Sequence, residues 1–163
     1  MDLKFKVSIR IARPVHDVFE AVADPAQLSH YFTTGGAKGR LETGVQVMWD
    51  FHDFPGAFPV DVVEVVPNEK IVLRWAANDG VPAEDDPAKN DTNVKVGYQT
   101  EVTMIFEPLE DGRILVSISE FGWRETQSGL DGSYGNCMGW TQMLCALKGW
   151  LEYGINLREG AFK

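Results

Sequence analysis

Cysteine is nearly absent. The 163 residues hold two, Cys137 and Cys145, eight positions apart in a helical pattern. That spacing corresponds to about 12 Å along a helix axis, beyond disulfide reach, and two unpaired thiols suit a reducing compartment. Histidine is scarce as well: His16, His30 and His52 are scattered, and no carboxylate spacing joins them into a metal set. Basic residues are outnumbered, 15 Lys plus Arg against 24 Asp plus Glu, for a formal net charge of -9. Such a balance repels polyanions, which excludes general nucleic-acid binding and attraction to anionic membranes. No window approaches the roughly 18 apolar residues of a spanning helix, and Met1 to Lys6 runs straight into alternation without a signal-peptide core. The expectation is a cytoplasmic protein with no membrane insertion. Also missing are a Gly-rich phosphate loop, Cys-x-x-Cys, His-Glu-x-x-His and a Gly-x-Ser-x-Gly elbow, with Ser128-Gly129 read as loop. No cofactor and no metal are expected.

What is present is apolar material for one compact domain over residues 1–163. The chain is 44% hydrophobic and 11% aromatic, and folding at this length buries about 70% of the unfolded surface. Leu3, Phe5, Val7, Ile9 and Ile11 alternate with polar residues, the pattern of a half-buried strand. Pro14 opens a helix with Val15, Val18, Phe19 and Val22 on one stripe, and Asp24-Pro25 ends it and caps a short second one. Leu28, Tyr31 and Phe32 lie on the inner face of that second helix, which Gly35-Gly36 stops. Period-two alternation then returns through Val45–Phe51, a reversal at Phe54-Pro55-Gly56, and Ala57–Val66 with a bulge expected at Val62-Val63. Further strands carry Ile71, Leu73 and Trp75, then Tyr98 to Phe106, then Ile114 to Ile118 after the Asp111-Gly112 hairpin. Residues 78–95 interrupt this series as an acidic surface loop, either a tolerated insertion or a lid. Trp140, Leu144, Leu147 and Leu151 mark a long C-terminal helix. Gly135, Gly139, Gly149 and Gly154 each weaken it by about 1 kcal/mol relative to Ala, so they either admit close packing or leave room beside them.

This order resembles the helix-grip fold of the START/SRPBCC (pollen-allergen-like) superfamily, and within it the family of the C-terminal domain of the heat-shock-protein-90 ATPase activator. The matching segments are Arg13–Phe19, Asp24–Leu28, Val116–Gly122 and Gly139–Leu147, spread over about residues 5–152. The resemblance implies an α+β fold, a curved antiparallel sheet of six or seven strands gripping the C-terminal helix around a cavity. It further implies a small, mainly hydrophobic ligand of lipid, sterol or polyketide type as partner. Some relatives are cyclases or aromatases, and the activator relatives regulate a chaperone. Since alternation begins near residue 3, the extra N-terminal domain of the eukaryotic activator is not expected, which weakens a chaperone partner. A homodimer stays open.

Within that frame the candidate ligand-binding residues are Trp49, Phe51, Phe58, Trp75, Tyr98, Met104, Glu120, Trp140, Met143, Leu144 and Leu147. Aromatic residues dominate any core, so the expectation concerns the set, a subset of which lines the pocket with Tyr98 and Trp75 supplying polar atoms. Glu120 shares the parity of Ile114, Val116 and Ile118, and alternation turns it toward the core side. There it would anchor a ligand or act as a general acid or base. Alternatively the strand twists near Gly122 and brings it to the cavity mouth, or it pairs with Arg74 or Arg124. Asp50 and His52 share a wet strand face and make a weaker candidate pair. Ligand binding is thus expected, with a cyclase- or dehydratase-type activity and a chaperone regulator as alternatives.

Overall fold

The computed structural model describes residues 1–80 and 97–163. Seven strands form one antiparallel sheet in the order β1-β7-β6-β5-β4-β3-β2. β1 (Lys4–Ile11) is followed by α1 (Val15–Ala23) and α2 (Pro25–Leu28), then β2 (Gly36–Lys38), β3 (Gln46–Phe51), β4 (Phe54–Val66) and β5 (Lys70–Ala76). β6 (Gln99–Pro108), β7 (Ile114–Phe121) and the 27-residue α3 (Gln127–Tyr153) complete it. This is the helix-grip α+β architecture. Of the acidic loop read over residues 78–95, residues 81–95 lie outside the described residues. No helix among the described residues is long and apolar enough to cross a membrane.

Local signals explain most boundaries. Asp24 Oδ1 accepts from the Ala26 amide at 2.9 Å, capping α2, and Leu28, Tyr31 and Phe32 are buried below it. The Tyr31 hydroxyl donates to the Ala21 carbonyl at 2.8 Å; burial pushes its pKa well up, so it stays protonated. β4 shifts register against β5 between Val62 and Glu64, the bulge expected from the phase change. One turn moves. The β3–β4 chain reverses at His52-Asp53, with Phe51 opposite Phe54, while Pro55-Gly56 forms an irregularity within β4. Gly56 takes a positive φ of 120° there, and its amide donates to Asp50 Oδ1 at 3.2 Å. The three-residue β2 is too short for alternation to reveal. α3 also starts earlier than its leucine stripe suggests: the Thr126 hydroxyl accepts from the Gly129 amide at 3.0 Å, so Ser128-Gly129 lies in the first helical turn. Gly154 ends α3 in the left-handed conformation.

The core lies between the concave sheet face, α1 and α3. Ile11, Val18, Met104, Ile118, Met143 and Leu147 are among its most deeply buried members.

Candidate functional site

Five aromatic residues from five parts of the chain close into a circuit. Trp75 of β5 and Trp140 of α3 have ring centroids 5.3 Å apart. Trp140 meets Phe32, just after α2, at 5.4 Å, and Phe32 meets Phe51 of β3 edge-on at 5.0 Å. Phe51 stacks on Phe58 of β4 at 5.5 Å, and Phe58 returns to Trp75 at 5.8 Å. Tilted and edge-on contacts at these distances are the favourable geometries for aromatic pairs. All five residues line one open cleft of about 1000 Å³ at the end of the sheet where β3, β4 and β5 meet the N-terminal half of α3.

Three glycines shape the α3 wall of this cleft. Gly132, Gly135 and Gly139 all line it. A Cβ added at Gly135 or Gly139 would meet nothing within 4 Å. At Gly132 it would lie 2.8 Å from the Asn78 carbonyl oxygen, so the chain leaving β5 crosses the helix there. The helix glycines therefore do both things their sequence allows: Gly132 admits close packing, and Gly135 and Gly139 leave space.

Behind the aromatic wall sits Glu120, fully buried on β7. Its Oε1 accepts from Trp75 Nε1 at 2.9 Å, the Thr100 hydroxyl at 2.6 Å and Asn136 Nδ2 at 3.0 Å. Its Oε2 accepts from Trp140 Nε1 at 2.8 Å. The elements bring these donors together by register. Trp75 and Thr100 are cross-strand partners of β5 and β6, Val102 of β6 faces Glu120, and Asn136 and Trp140 are one α3 turn apart. The cations considered as partners are engaged elsewhere: Arg74 bonds Glu101 at 2.9 Å, and the Arg124 guanidinium lies 4.5 Å over the Tyr98 ring.

A second buried charge closes the other end. Arg158, beyond the α3 cap, lines the cleft with 5% of its side chain exposed. Its Nη2 and Nε bond one oxygen of the buried Asp53 at 2.9 and 3.3 Å. The guanidinium also lies 4.6 Å from the Phe51 ring centroid and 5.3 Å from that of Phe162. Neither Arg158 nor Asp53 stood out in the sequence. Arg158 follows the last periodic element and Asp53 reads as a turn residue, so only their shared burial marks them.

The remaining residues singled out from sequence take distinct places. Phe51, Phe58, Trp75 and Trp140 line the cleft. Trp49, Met104, Met143, Leu144 and Leu147 are buried in the core, and Glu120 stands one layer behind the cleft surface. Tyr98 is half-buried; its hydroxyl donates to Asp79 Oδ2 at 3.1 Å and accepts from the Arg124 amide at 3.2 Å. Burial, with the Asp79 carboxylate beside it, raises the Tyr98 pKa. Asp50 caps the Gly56 amide, and His52, exposed, bonds Thr34. Among the described residues no group of three or more His, Cys, Asp or Glu is placed to hold a metal ion.

A family model described as "Activator of Hsp90 ATPase homolog 1-like protein" matches residues 12–152. Solved structures share the fold. A Mesorhizobium loti protein is 19% identical with a TM-score of 0.71, over 91% of this chain and 96% of that one. The Aha1 dimer from Colwellia psychrerythraea is 21% identical with a TM-score of 0.70, over 93% and 97%. A protein of the dynemicin biosynthetic locus is 22% identical with a TM-score of 0.72, over 94% of this chain and 49% of that one. No curated protein matches the sequence significantly.

Proposed function

The chain belongs to the activator of Hsp90 ATPase homolog 1-like family, and from that premise we propose that it binds a small, mainly apolar molecule in the aromatic cleft. The fold alone does not choose a function, since proteins of unlike description share it. The observation that carries the reading is the five-ring circuit lining the cleft together with Gly135 and Gly139. A concave, largely apolar surface with a few polar groups is the usual form of a small-molecule site. An acid–base role for Glu120 in a cyclase or dehydratase has less support, because both carboxylate oxygens are occupied by protein donors and the side chain is fully buried.

Native mass spectrometry of gently purified protein, beside a denatured aliquot, tests the proposal. The expected result is a mass excess that vanishes on denaturation and is also missing from Gly139→Leu, whose side chain would fill the cleft. An excess unchanged in Gly139→Leu would put the molecule elsewhere and overturn the reading.

The family match supports a second reading, a chaperone regulator. Its test is stimulation of Hsp90 ATPase by the purified chain, and a null result at saturating protein removes it.

A further inference from the structure

Glu120 makes four hydrogen bonds to side chains, all as an acceptor. Two of its donors are indole N–H groups, which can only donate. The third is a hydroxyl, and the fourth is the side-chain amide of Asn136. This last bond has a consequence for the cleft. An Asn side chain has a donor end and an acceptor end, and a carboxylate fixes which end turns toward it. Asn136 lines the cleft and gives Nδ2 to Glu120 Oε1 at 3.0 Å. Oδ1 is the end that remains for a group in the cleft.

We propose that Glu120 is a positioning residue that fixes Asn136 as a hydrogen-bond acceptor, so that the cleft selects flat aromatic molecules bearing a hydroxyl or N–H donor. The proposal rests on the cleft being a small-molecule site and adds the chemistry that site reads. Trp75 and Trp140, which flank Asn136 in the cleft lining, are tied to the same carboxylate. Their ring planes are therefore set by the group that sets the acceptor. A planar ring stacked on the half-buried Trp75 indole would carry its substituent close to Asn136. Other side-chain acceptors sit at the rim, each with a protein donor of its own: Asp131 Oδ1 takes the Gln127 amide at 2.8 Å and Asp79 Oδ2 takes the Tyr98 hydroxyl at 3.1 Å.

The test uses two probes of matched shape, 2-naphthol and 2-methylnaphthalene, titrated by fluorescence into the wild-type chain, Asn136→Leu and Glu120→Gln. The methyl probe leaves water more readily, so apolar burial alone favours it. For the wild type the expected result is the reverse, with 2-naphthol bound about fivefold tighter, the size of one hydrogen bond. In Asn136→Leu that preference vanishes while 2-methylnaphthalene affinity holds. In Glu120→Gln an amide replaces the carboxylate, Asn136 is free to turn over, and the preference shrinks. A merely structural role for Glu120 would weaken both probes together and leave their ratio unchanged. Equal binding of the two probes to the wild type overturns the selectivity and leaves the binding site standing. Preference retained in Asn136→Leu assigns the hydroxyl to another group and overturns it too. Preference lost in Asn136→Leu but intact in Glu120→Gln removes the positioning role. Failure of both probes to bind overturns the cleft as a small-molecule site together with this inference.

Discussion

Removing the Glu120 carboxylate would leave two indole N–H groups, a hydroxyl and an amide without their acceptor, and the bonds from the Thr100 hydroxyl and Trp140 Nε1 are buried from water. Unsatisfied buried donors are more costly than an ordinary lost contact. Glu120→Leu is therefore expected to lower unfolding stability by about 3 kcal/mol or more, read from the urea midpoint. A loss under about 1 kcal/mol would mean that the four donors find other partners and do not depend on Glu120. The Asp53–Arg158 pair behaves differently, because each charge needs the other. Arg158→Met strands a buried carboxylate and should cost about 3–5 kcal/mol, whereas Asp53→Leu together with Arg158→Met should recover most of that loss. A double-mutant cycle that shows simple additivity would contradict the pairing. The two sites also differ in legibility. The parity of Ile114, Val116 and Ile118 turns Glu120 inward in the sequence already, but the identity of its donors depends on register across three elements, which period-two alternation does not carry.

α3 shows how one residue type acts oppositely along a single element. Gly135 and Gly139 have open space where a Cβ would go. Ala at either position should stabilise the protein by about 0.5–1 kcal/mol through helix propensity, while a larger side chain there closes the cleft. Gly132→Ala should destabilise it, since the Asn78 carbonyl is 2.8 Å from the new atom and backbone must shift. Thermal denaturation of the three Ala variants separates these signs, and a stabilised Gly132→Ala would contradict the close crossing. The packing of α1 makes a smaller, pH-dependent prediction. Arg40, in the chain leading to β3, holds Glu20 of α1 with contacts of 2.6 and 2.7 Å. That hydrogen-bonded guanidinium lowers the Glu20 pKa below its ordinary 4.5. A lowered folded-state pKa contributes stability above the unfolded value and loses it as pH falls through the folded one. Because the pair is partly exposed, the contribution is about 0.5 kcal/mol. Arg40→Gln should thus be slightly less stable than wild type at pH 6, and the gap should close as pH falls through the lowered folded-state pKa of Glu20. A gap that persists at the lower pH would assign the effect to packing.

For the whole molecule, the fold follows from signals that are local and repeated: alternation in the strands, Asp24 and Thr126 as caps, Gly112 and Gly154 at positive φ. The cleft follows from none of them, since its walls come from distant parts of the chain meeting at one end of the sheet. Alternation indicates that Met104 and Trp75 face inward. It does not indicate that β6 is fully covered at Met104 while β5 runs out beside the cleft at Trp75. The last residues are the clearest case. Phe162 and Lys163 line the cleft, with the Phe162 ring 6.1 Å from Phe54 and Lys163 Nζ 4.8 Å over that same ring. Their segment has no periodicity to interpret, yet it forms a wall. Deleting residues 159–163 keeps Arg158 and its bond to Asp53 but removes the Phe162 ring beside its guanidinium, so the melting temperature without ligand should fall only slightly. The same deletion removes the Phe162 ring from the site, and a bound naphthalene should then dissociate several-fold faster in stopped-flow displacement. Bound ligand stabilises the folded state by about 2.7 kcal/mol at a hundredfold excess over Kd. At fixed ligand concentration the truncated chain should therefore show a smaller thermal shift than the full chain. Equal shifts and equal dissociation rates would mean that the tail packs beside the site without bounding it. A collapse of the ligand-free melting temperature would instead show that the tail belongs to the core.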